Sequence, residues 1–464
     1  MTIDKSQLLA IVSANGDRRE RQIESEKYYR GENTFIDAVK KSIALQVEES
    51  VRLIENPYTS NYKEVSGYYK VLVDQAVSYS VNAKMQCDVE GTDIEKIMGK
   101  KWRSTLRRIA KDARLKGFGV AQFYIENNTT KMKSIPAEQC IPCYDDDGER
   151  LTAMIRMYDI NRNGDLVGVM EYWDSETVTR YEMASGEEWV CVVDAEPHLS
   201  LVTAYGASVA DAEKAPWGVV PFAVLKNNDE FLPDIKAIKS KIDAYDVVSS
   251  DYINDLVNHG SPYFVLKNLS GTTQEDWDKF KANFVKSKVI KVDDDGGVDL
   301  KTLDIPHEAR TTKLEQLERE IFLFGMGVNV ASMKGNITAT EIMAGYDNLN
   351  LKAQEFESGI VDFLDDVVQF LRYGASVTPD LLNIAPCECA FVHPMVFDEN
   401  KKIELIMQSK GHLSRQTMLE LDPRVPDADE EAERLEDDMD AMIEKYTPVG
   451  GVVPVKEGPE EPEV

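Results

Sequence analysis

The chain has 464 residues, 43% of them apolar, enough for about two to four domains with real cores. Lys and Arg number 53 against 82 Asp and Glu, and a net charge of −29 argues against a tight sequence-specific reader of nucleic acid, which is ordinarily basic. No apolar run approaches the roughly 18 residues needed to cross a bilayer, and the run at 8–12 is short, with most nearby basic residues following it, unlike a secretory leader, so the chain is expected in the cytosol when made.

Residues 1–30 read as a charged helix closing at Tyr28-Tyr29-Arg30-Gly31, with Gly31 as its C-terminal cap. A linker holding Asn56-Pro57 follows. The next helix is expected over about 61–82, burying Val65, Tyr68 or Tyr69, Leu72, Ala76 and Tyr79. Another spans roughly 93–116, with Trp102, Leu106, Ile109 and Ala113 inward. Between Lys100 and Lys116 it carries eight basic residues and the single acid Asp112. A solvated face is the first reading of that stretch, and a patch for nucleic acid or an acidic partner is the second.

From about 119 to 222 the pattern changes to short strands at 120–126, 153–158, 166–173, 177–183 and 189–193. Asn163-Gly164 and Ser185-Gly186 are the turn signals between them, and Pro216-Trp217-Gly218 and Pro221 end this meander. Six cysteines are too few for a disulfide scaffold. Cys140 and Cys143, with Cys387 and Cys389, could offer four thiolates to zinc, and the first pair could be redox-active. The extended context of Cys140, running into Asp145-Asp146-Asp147-Gly148, favours buried structural cysteines instead.

Two helices with a three-and-four spacing come next. The first carries Ile235, Ile238, Ile242, Tyr245, Tyr252 and Leu256, with a gap at Ser249; the second carries Leu314, Leu317, Ile321 and Phe324. Between them an α/β excursion, about 259–306, holds strands at 262–269, 289–292 and 298–303 and a short helix with Trp277, Phe280 and Phe284 on one face. Asp293-Asp294-Asp295-Gly296-Gly297 lacks the alternating spacing of a calcium loop and reads as a hairpin turn. The three glycines of 325–337 fit no phosphate-binding pattern. A capping box at Thr338 and Glu341 then starts a long helix through Ile342, Tyr346, Leu349, Ala353, Phe356, Ile360, Phe363, Val367 and Phe370, in which Gly345 and Gly359 are kink or close-packing points. Narrow stripes on three helices ask for partners beyond one chain, which points to a ring-forming structural protein. After a short helix and Asp422-Pro423, nine of the fourteen residues 427–440 are acids, and from Thr447 on Gly, Pro and Glu predict disorder.

A metal-dependent hydrolase or nuclease could use Asp145–Asp147 or Asp293–Asp295. The five histidines (198, 259, 307, 393 and 412) form no metal-ligand pair, and there is neither a Gly-x-Ser-x-Gly elbow nor a nucleotide-binding loop, so no enzyme and no cofactor is expected.

Four stretches carry a resemblance. They are Tyr28-Tyr29-Arg30-Gly31; the helix with Tyr69-Lys70-Val71-Leu72-Val73-Asp74; Ile242-Asp243-Ala244-Tyr245-Asp246 with Ser250-Asp251; and Gly411-His412-Leu413-Ser414-Arg415-Gln416-Thr417 with the following Pro423 and Glu-rich segment. In this order they resemble the portal proteins of tailed bacteriophages, of the type common in long-tailed phages of Gram-positive hosts. Asn82-Ala83 departs from the pattern, where a glycine often follows the second helix, and the C-terminal region is short.

The resemblance implies an α+β protomer: a wing over 1–233, stem helices at 234–258 and 307–324, and a clip at 259–306. A tunnel loop at 325–338, a long kinked helix returning to the wing over 339–400, a helical crown at 401–446 and a disordered acidic tail at 447–464 complete it. It also implies a ring, usually of twelve subunits, at one capsid vertex of the virion, assembled in the host cytoplasm and contacting no membrane. Double-stranded DNA would pass through it without sequence specificity; its protein partners would be the terminase large subunit, a head-completion adaptor, the scaffold and the major capsid protein. Docking would fall to the clip, where Lys279, Lys281, Lys286, Lys288 and Lys291 precede Asp293, Asp294 and Asp295. In the tunnel loop Asn329, Ser332, Lys334 and Asn336 would touch DNA, Lys334 being the only cation between Arg319 and Lys352. Gly325, Gly327 and Gly335 permit backbone conformations closed to other residues, which suits a loop that shifts as DNA passes. The alternative within the virion is an adaptor or minor head protein, which needs no stem hairpin.

Overall fold

A computed structural model of the chain describes residues 4–35, 42–47, 50–55, 60–82, 85–89, 92–95, 99, 101–126, 129–184, 188–201, 213–259, 263–267, 297–301, 305–329, 339–373, 387–391, 393, 403, 406–422, 424–425 and 428–436. They fall in two units, Met1–Lys334 with Ala344–Pro394, and Gly335–Met343 with Met395–Val464.

The first unit opens with α1 (Lys5–Ala14) and α2 (Gly16–Arg30), where the sequence had suggested one helix. The break is at Asn15, whose side-chain amide donates to the Ile11 carbonyl at 2.8 Å and closes α1. Gly31, at φ 78°, caps α2 as read. The segment taken as a linker contains a hairpin, β1 (Ser42–Val47) paired with β2 (Ser50–Glu55). Helix α3 covers Tyr68–Ser80 and starts later than expected, because the amides ahead of it are bonded elsewhere. Strands β3 (Gln86–Val89) and β4 (Thr92–Asp93) precede the next expected helix, overlapping it only at Asp93, and α4 itself is Trp102–Lys116.

Trp102, Leu106, Ile109 and Ala113 are buried in α4 as its period demands. Arg107 and Arg108 are solvated, but Arg114 and Lys116 are not. Only 3% of Lys116 is exposed, and its Nζ lies 2.6 Å from Glu138, 3.2 Å from Glu26 and 3.5 Å from Asp112. A single solvated basic face is therefore the wrong description of this helix. A buried ammonium persists only where carboxylates surround it.

β5 (Phe118–Glu126) lies between β6 (Thr129–Ile135) and β14 (Phe222–Lys226) in an antiparallel three-stranded sheet. The meander is a five-stranded sheet of β7 (Cys140–Tyr144), β8 (Leu151–Arg162), β9 (Asp165–Trp173), β10 (Thr177–Ala184) and β11 (Val190–Pro197), in sequence order. Asn163 (φ 57°) and Gly164 (φ 101°) make its tightest turn, with both central residues left-handed, the geometry that matches strand twist. Leu8 of α1 packs on Ile155 and Met170 of this sheet. Asp145 Oδ1 accepts the amides of Glu149 and Arg150, so this acidic triplet heads a capped turn. Beyond the meander, β12 (Leu199–Leu201) pairs with β13 (Glu213–Ala215).

The two spaced helices are α5 (Ile235–His259) and α6 (His307–Phe324). Past their ends β15 (Tyr263–Lys267) pairs antiparallel with β16 (Gly297–Lys301), Tyr263 opposite Lys301. The expected short helix with Trp277, the strand at 289–292 and the turn at Asp293–Asp295 lie outside the described residues. Helix α7 is continuous over Ala339–Tyr373. Leu349, Ala353, Phe356, Ile360, Phe363, Val367 and Phe370 are buried, and so are Leu364 and Val368. Most of this face belongs to the core that α3, α4, β5 and the start of α5 share. The expectation that α7 leaves a seam for another chain is thus corrected: its own chain covers it. Finally β17 (Glu388–Ala390) adds to β3. Among the described residues no helix is long and apolar enough to cross a membrane.

In the second unit α8 (Arg415–Leu421) is capped by Ser414, whose Oγ accepts the Thr417 amide at 3.1 Å. Gly411 takes φ 100° just before it. Residues 428–436 are helical, and Gln416 donates to Asp429 at 2.7 Å.

Candidate functional site: a helix pair and the root of a loop

Most of the residues that carry the resemblance converge on the base of α5. Tyr28 is 1% exposed and its hydroxyl donates to Asp243 Oδ1 at 2.5 Å. Burial, then that carboxylate, pushes the Tyr28 phenol above its ordinary range. The neighbouring Tyr29 donates to Asp74 of α3 at 2.7 Å, and Tyr69 of α3 shares a hydrogen bond with Ser25 of α2 at 2.8 Å. One turn of α2 thereby fixes both α3 and α5.

Beyond Asp243 the buried stripe of α5 turns polar. Asp246, Ser249, Ser250 and Asn254 are all at most 9% exposed, whereas Leu256 is 47% exposed. The apolar seam read through Tyr252 and Leu256 is therefore not a buried stripe in this half: Tyr252 turns to His307 of α6 and Leu256 is exposed. A strap, residues 60–66, lies there instead. The amides of Ser60, Tyr62, Glu64 and Ser66 donate to side chains of Asn258, Asn254, Ser250 and Asp246 at 3.3, 2.7, 2.9 and 2.9 Å. Alternate amides meet every fourth helical residue because two extended residues advance about 6.6 Å and four helical ones about 6.0 Å. Asn254 also returns a bond from Nδ2 to the Tyr62 carbonyl at 2.9 Å. These bonds use the amides that a helix starting at 61 would have needed.

The ion pairs Lys241–Glu320 at 2.7 Å and Asp255–Arg310 at 2.5 Å, with Tyr252 Oη 2.8 Å from His307 Nδ1, run up α5 and down α6. The two helices are an antiparallel hairpin. Leu317 and Ile321 of α6 are buried as read, but Phe324 is 50% exposed and Phe322 takes its place inside.

The chain leaving α6 is clamped. A Cβ on Gly325 would stand 2.7 Å from Leu72 Cδ1, and one on Gly327 2.1 Å from Leu72 Cδ2. Gly325 has an ordinary right-handed φ of −76°, while the positive φ of 54° belongs to Met326. These two glycines serve close approach to α3 rather than conformational freedom. Gln75 then binds Val328 as a neighbouring strand would, its Nε2 donating to the Val328 carbonyl at 2.9 Å and its Oε1 accepting the Val328 amide at 3.1 Å. Val328 is 2% exposed against Ala76, Tyr79, Leu349 and Ala353.

A buried charge cluster completes the clamp. Lys352 Nζ of α7 donates to the Gly325 carbonyl at 3.0 Å and lies 2.7 Å from Asp234. Arg114 Nη1 stands 3.9 Å from the same carboxylate and 3.2 Å from Asn227 Oδ1, with its guanidinium over the Phe356 ring. Burial disfavours every charge here and pulls Lys352 below the usual ammonium range. It also works against Asp234, yet Lys352 and Arg114 hold that carboxyl below the ordinary carboxylate range, and the ionised cluster is the state the geometry supports. α4, α5, α7 and the end of α6 meet at this point.

Of the residues expected to touch DNA, Asn329 is described, and its Nδ2 donates to Glu318 Oε1 of α6 at 2.9 Å. Ser332, Lys334 and Asn336 lie outside the described residues, as do Gly335, Lys279, Lys281, Lys286, Lys288, Lys291, Asp293, Asp294 and Asp295. Sequence reasoning missed Gln75, Arg114, Asp234 and Lys352. The available signal was a charge set beside an apolar stripe, Arg114 after Ala113 and Lys352 before Ala353.

The model of the family described as phage portal protein, SPP1 Gp6-like, matches residues 10–445. The portal protein of Clostridium phage phiCD119 is 24% identical over 463 residues, spanning 93% of this chain and 95% of that protein. The portal protein of Bacillus phage SPP1 is 24% identical over 439 residues, 90% of this chain and 83% of its own length. Among solved structures, a chain in the neck of an empty gene transfer agent particle is similar at 12% identity and a TM-score of 0.45, with 77% of this chain and 90% of that one covered. A chain of the native gene transfer agent virion is similar at 14% identity and 0.42, covering 75% and 88%.

Proposed function

The chain belongs to the family of phage portal proteins of the SPP1 Gp6-like type, and from that premise we propose that twelve copies form the ring at one capsid vertex through which double-stranded DNA is packaged and ejected. As a portal protein of a bacteriophage virion it is a head-to-tail connector, a structural part rather than an enzyme. In this reading 1–233 is the wing, α5 and α6 are the stem, 259–306 is the clip and 325–338 the tunnel loop. Residues 339–400 are the long helix and its return to the wing, 401–446 the crown and 447–464 a disordered acidic tail.

The observation that supports the ring best is a helix hairpin pinned at its base yet apolar on its outside. Leu256 and Val257 of α5 and Leu323 and Phe324 of α6 are each about half exposed. They form two pairs, one near the tip of α5 and one at the base of α6, and a neighbouring copy lying along the hairpin would cover both. The net charge of −29 suits a channel, since each phosphate neutralised by a cation adds attraction that would hold DNA back. Negative-stain images of the purified protein should show rings with a central hole, and light scattering a mass about twelve times the 52.2 kDa chain. A 52.2 kDa monomer at micromolar concentration in several salts would overturn the reading.

The clip is the docking surface for the terminase large subunit and the head-completion adaptor. The five lysines between 279 and 291 and the three aspartates that follow give a module of both signs, and such surfaces set register and association rate electrostatically. Reversing the charge of Lys286 and Lys288 should weaken capture of either partner while rings persist; undiminished capture would move docking elsewhere. Asn329, Ser332, Lys334 and Asn336 face the duplex, Asn329 at the point where Glu318 anchors the loop.

A further inference from the structure

Three of the six cysteines converge, and they are not the set that sequence spacing suggested. Cys87 of β3 and Cys389 of β17 stand opposite each other in the antiparallel register, with Sγ atoms 2.9 Å apart. Cys387, two residues earlier, is placed so that its Sγ is 3.7 Å from that of Cys389. All three sulfurs lie within 4.8 Å of one another, with Cys87 and Cys387 buried and Cys389 half-buried. Cys140 and Cys143 lie on β7 and do not join them.

Packing alone does not call for this arrangement. A thiol is a weak donor and a weak acceptor, so three in mutual contact gain little from one another. Three thiolates around a metal gain a great deal: sulfur ligands sit about 2.3 Å from zinc, which places tetrahedral neighbours about 3.8 Å apart. The three sulfurs need move by only about an ångström to meet that spacing. The backbone on one side is already fixed, because the Cys387 amide donates to Asp365 Oδ1 of α7 at 2.6 Å. That carboxylate holds the Cys387 backbone and does not stand among the three sulfurs, so a water completes the four-coordinate set.

We propose that Cys87, Cys387 and Cys389 hold one thiophilic metal ion of the zinc(II) or copper(I) class, which staples β17, and with it the chain returning from α7, onto β3. Loading releases the proton of each thiol that coordinates, so uptake acidifies a weakly buffered solution.

The full chain, purified without chelator and protected from air, should carry about one equivalent of zinc or copper by elemental analysis, which also identifies the ion. Cys87→Ser and Cys389→Ser should each lose most of it, and Cys140→Ser should retain it. Because a serine variant could fail to fold, cobalt(II) is added to stripped native protein as a second measurement. Thiolate-to-cobalt charge-transfer absorption with tetrahedral visible bands is expected. Metal-free protein that gives no cobalt bands would overturn the proposal. A protein mass lower by two hydrogens, with a Cys87–Cys389 crosslink in the peptide map, would overturn it in favour of a disulfide.

Discussion

At the scale of single residues, several rules decided by near neighbours held, although the break at Asn15, bonded to Ile11, was missed. Gly31 as a cap and Asn163-Gly164 as a turn were legible, because each is decided within a few residues. Cys87, Gln75 and Lys352 were not, since each acquires its role from a segment far along the chain. The glycines after α6 show the same limit: their presence was readable but their reason was not. Leu72, which presses on Gly325 and Gly327, lies more than 250 residues earlier. Gly327→Ala should destabilise the protein by about 1–3 kcal/mol, the usual cost of overpacking a buried contact. Urea unfolding measures it, and the companion change Leu72→Ala should make the two effects less than additive. Full additivity would mean that the alanine is accommodated without touching Leu72.

At the scale of elements, the hydrophobic period located α4, α5, α6 and α7 and most strands of the meander, but misjudged what sets their limits. The start of α3 is decided by α5: the amides of the strap are taken by Asp246, Ser250, Asn254 and Asn258. The gap noticed at Ser249 belongs to that polar stripe, which starts at Asp246. The elements are also joined by charge. Lys352 links α7 to Asp234 ahead of α5 and to the carbonyl of Gly325 beyond α6. Removing one partner of a buried ion pair strands the other, so Lys352→Met should cost about 3 kcal/mol in chemical unfolding. Adding Asp234→Asn should restore part of the loss. A single variant as stable as the native chain would show that Arg114 alone compensates Asp234.

At the scale of the whole molecule, the order of motifs identified the family even though no single motif would have done so. The argument that a narrow stripe must mean an external partner failed for α7, where burial within the chain is nearly complete. Exposed Leu256, Val257, Leu323 and Phe324 are the better reason to expect an assembly. Within a ring the root of the loop is positioned by Gln75, Leu72 and Lys352, so the residues that follow are presented from a fixed base. Lys334 is the only cation between Arg319 and Lys352, giving one positive charge per subunit in that span of an otherwise acidic protein. A lone charge per copy can hold a phosphate briefly without stopping DNA, and salt should weaken the contact. Lys334→Glu should therefore leave ring assembly unchanged by light scattering while reducing the length of DNA packaged or retained, more strongly at low salt. If that variant packages a full genome at every ionic strength, this residue does not meet the duplex, and the loop must act through its backbone or through Asn329, Ser332 and Asn336.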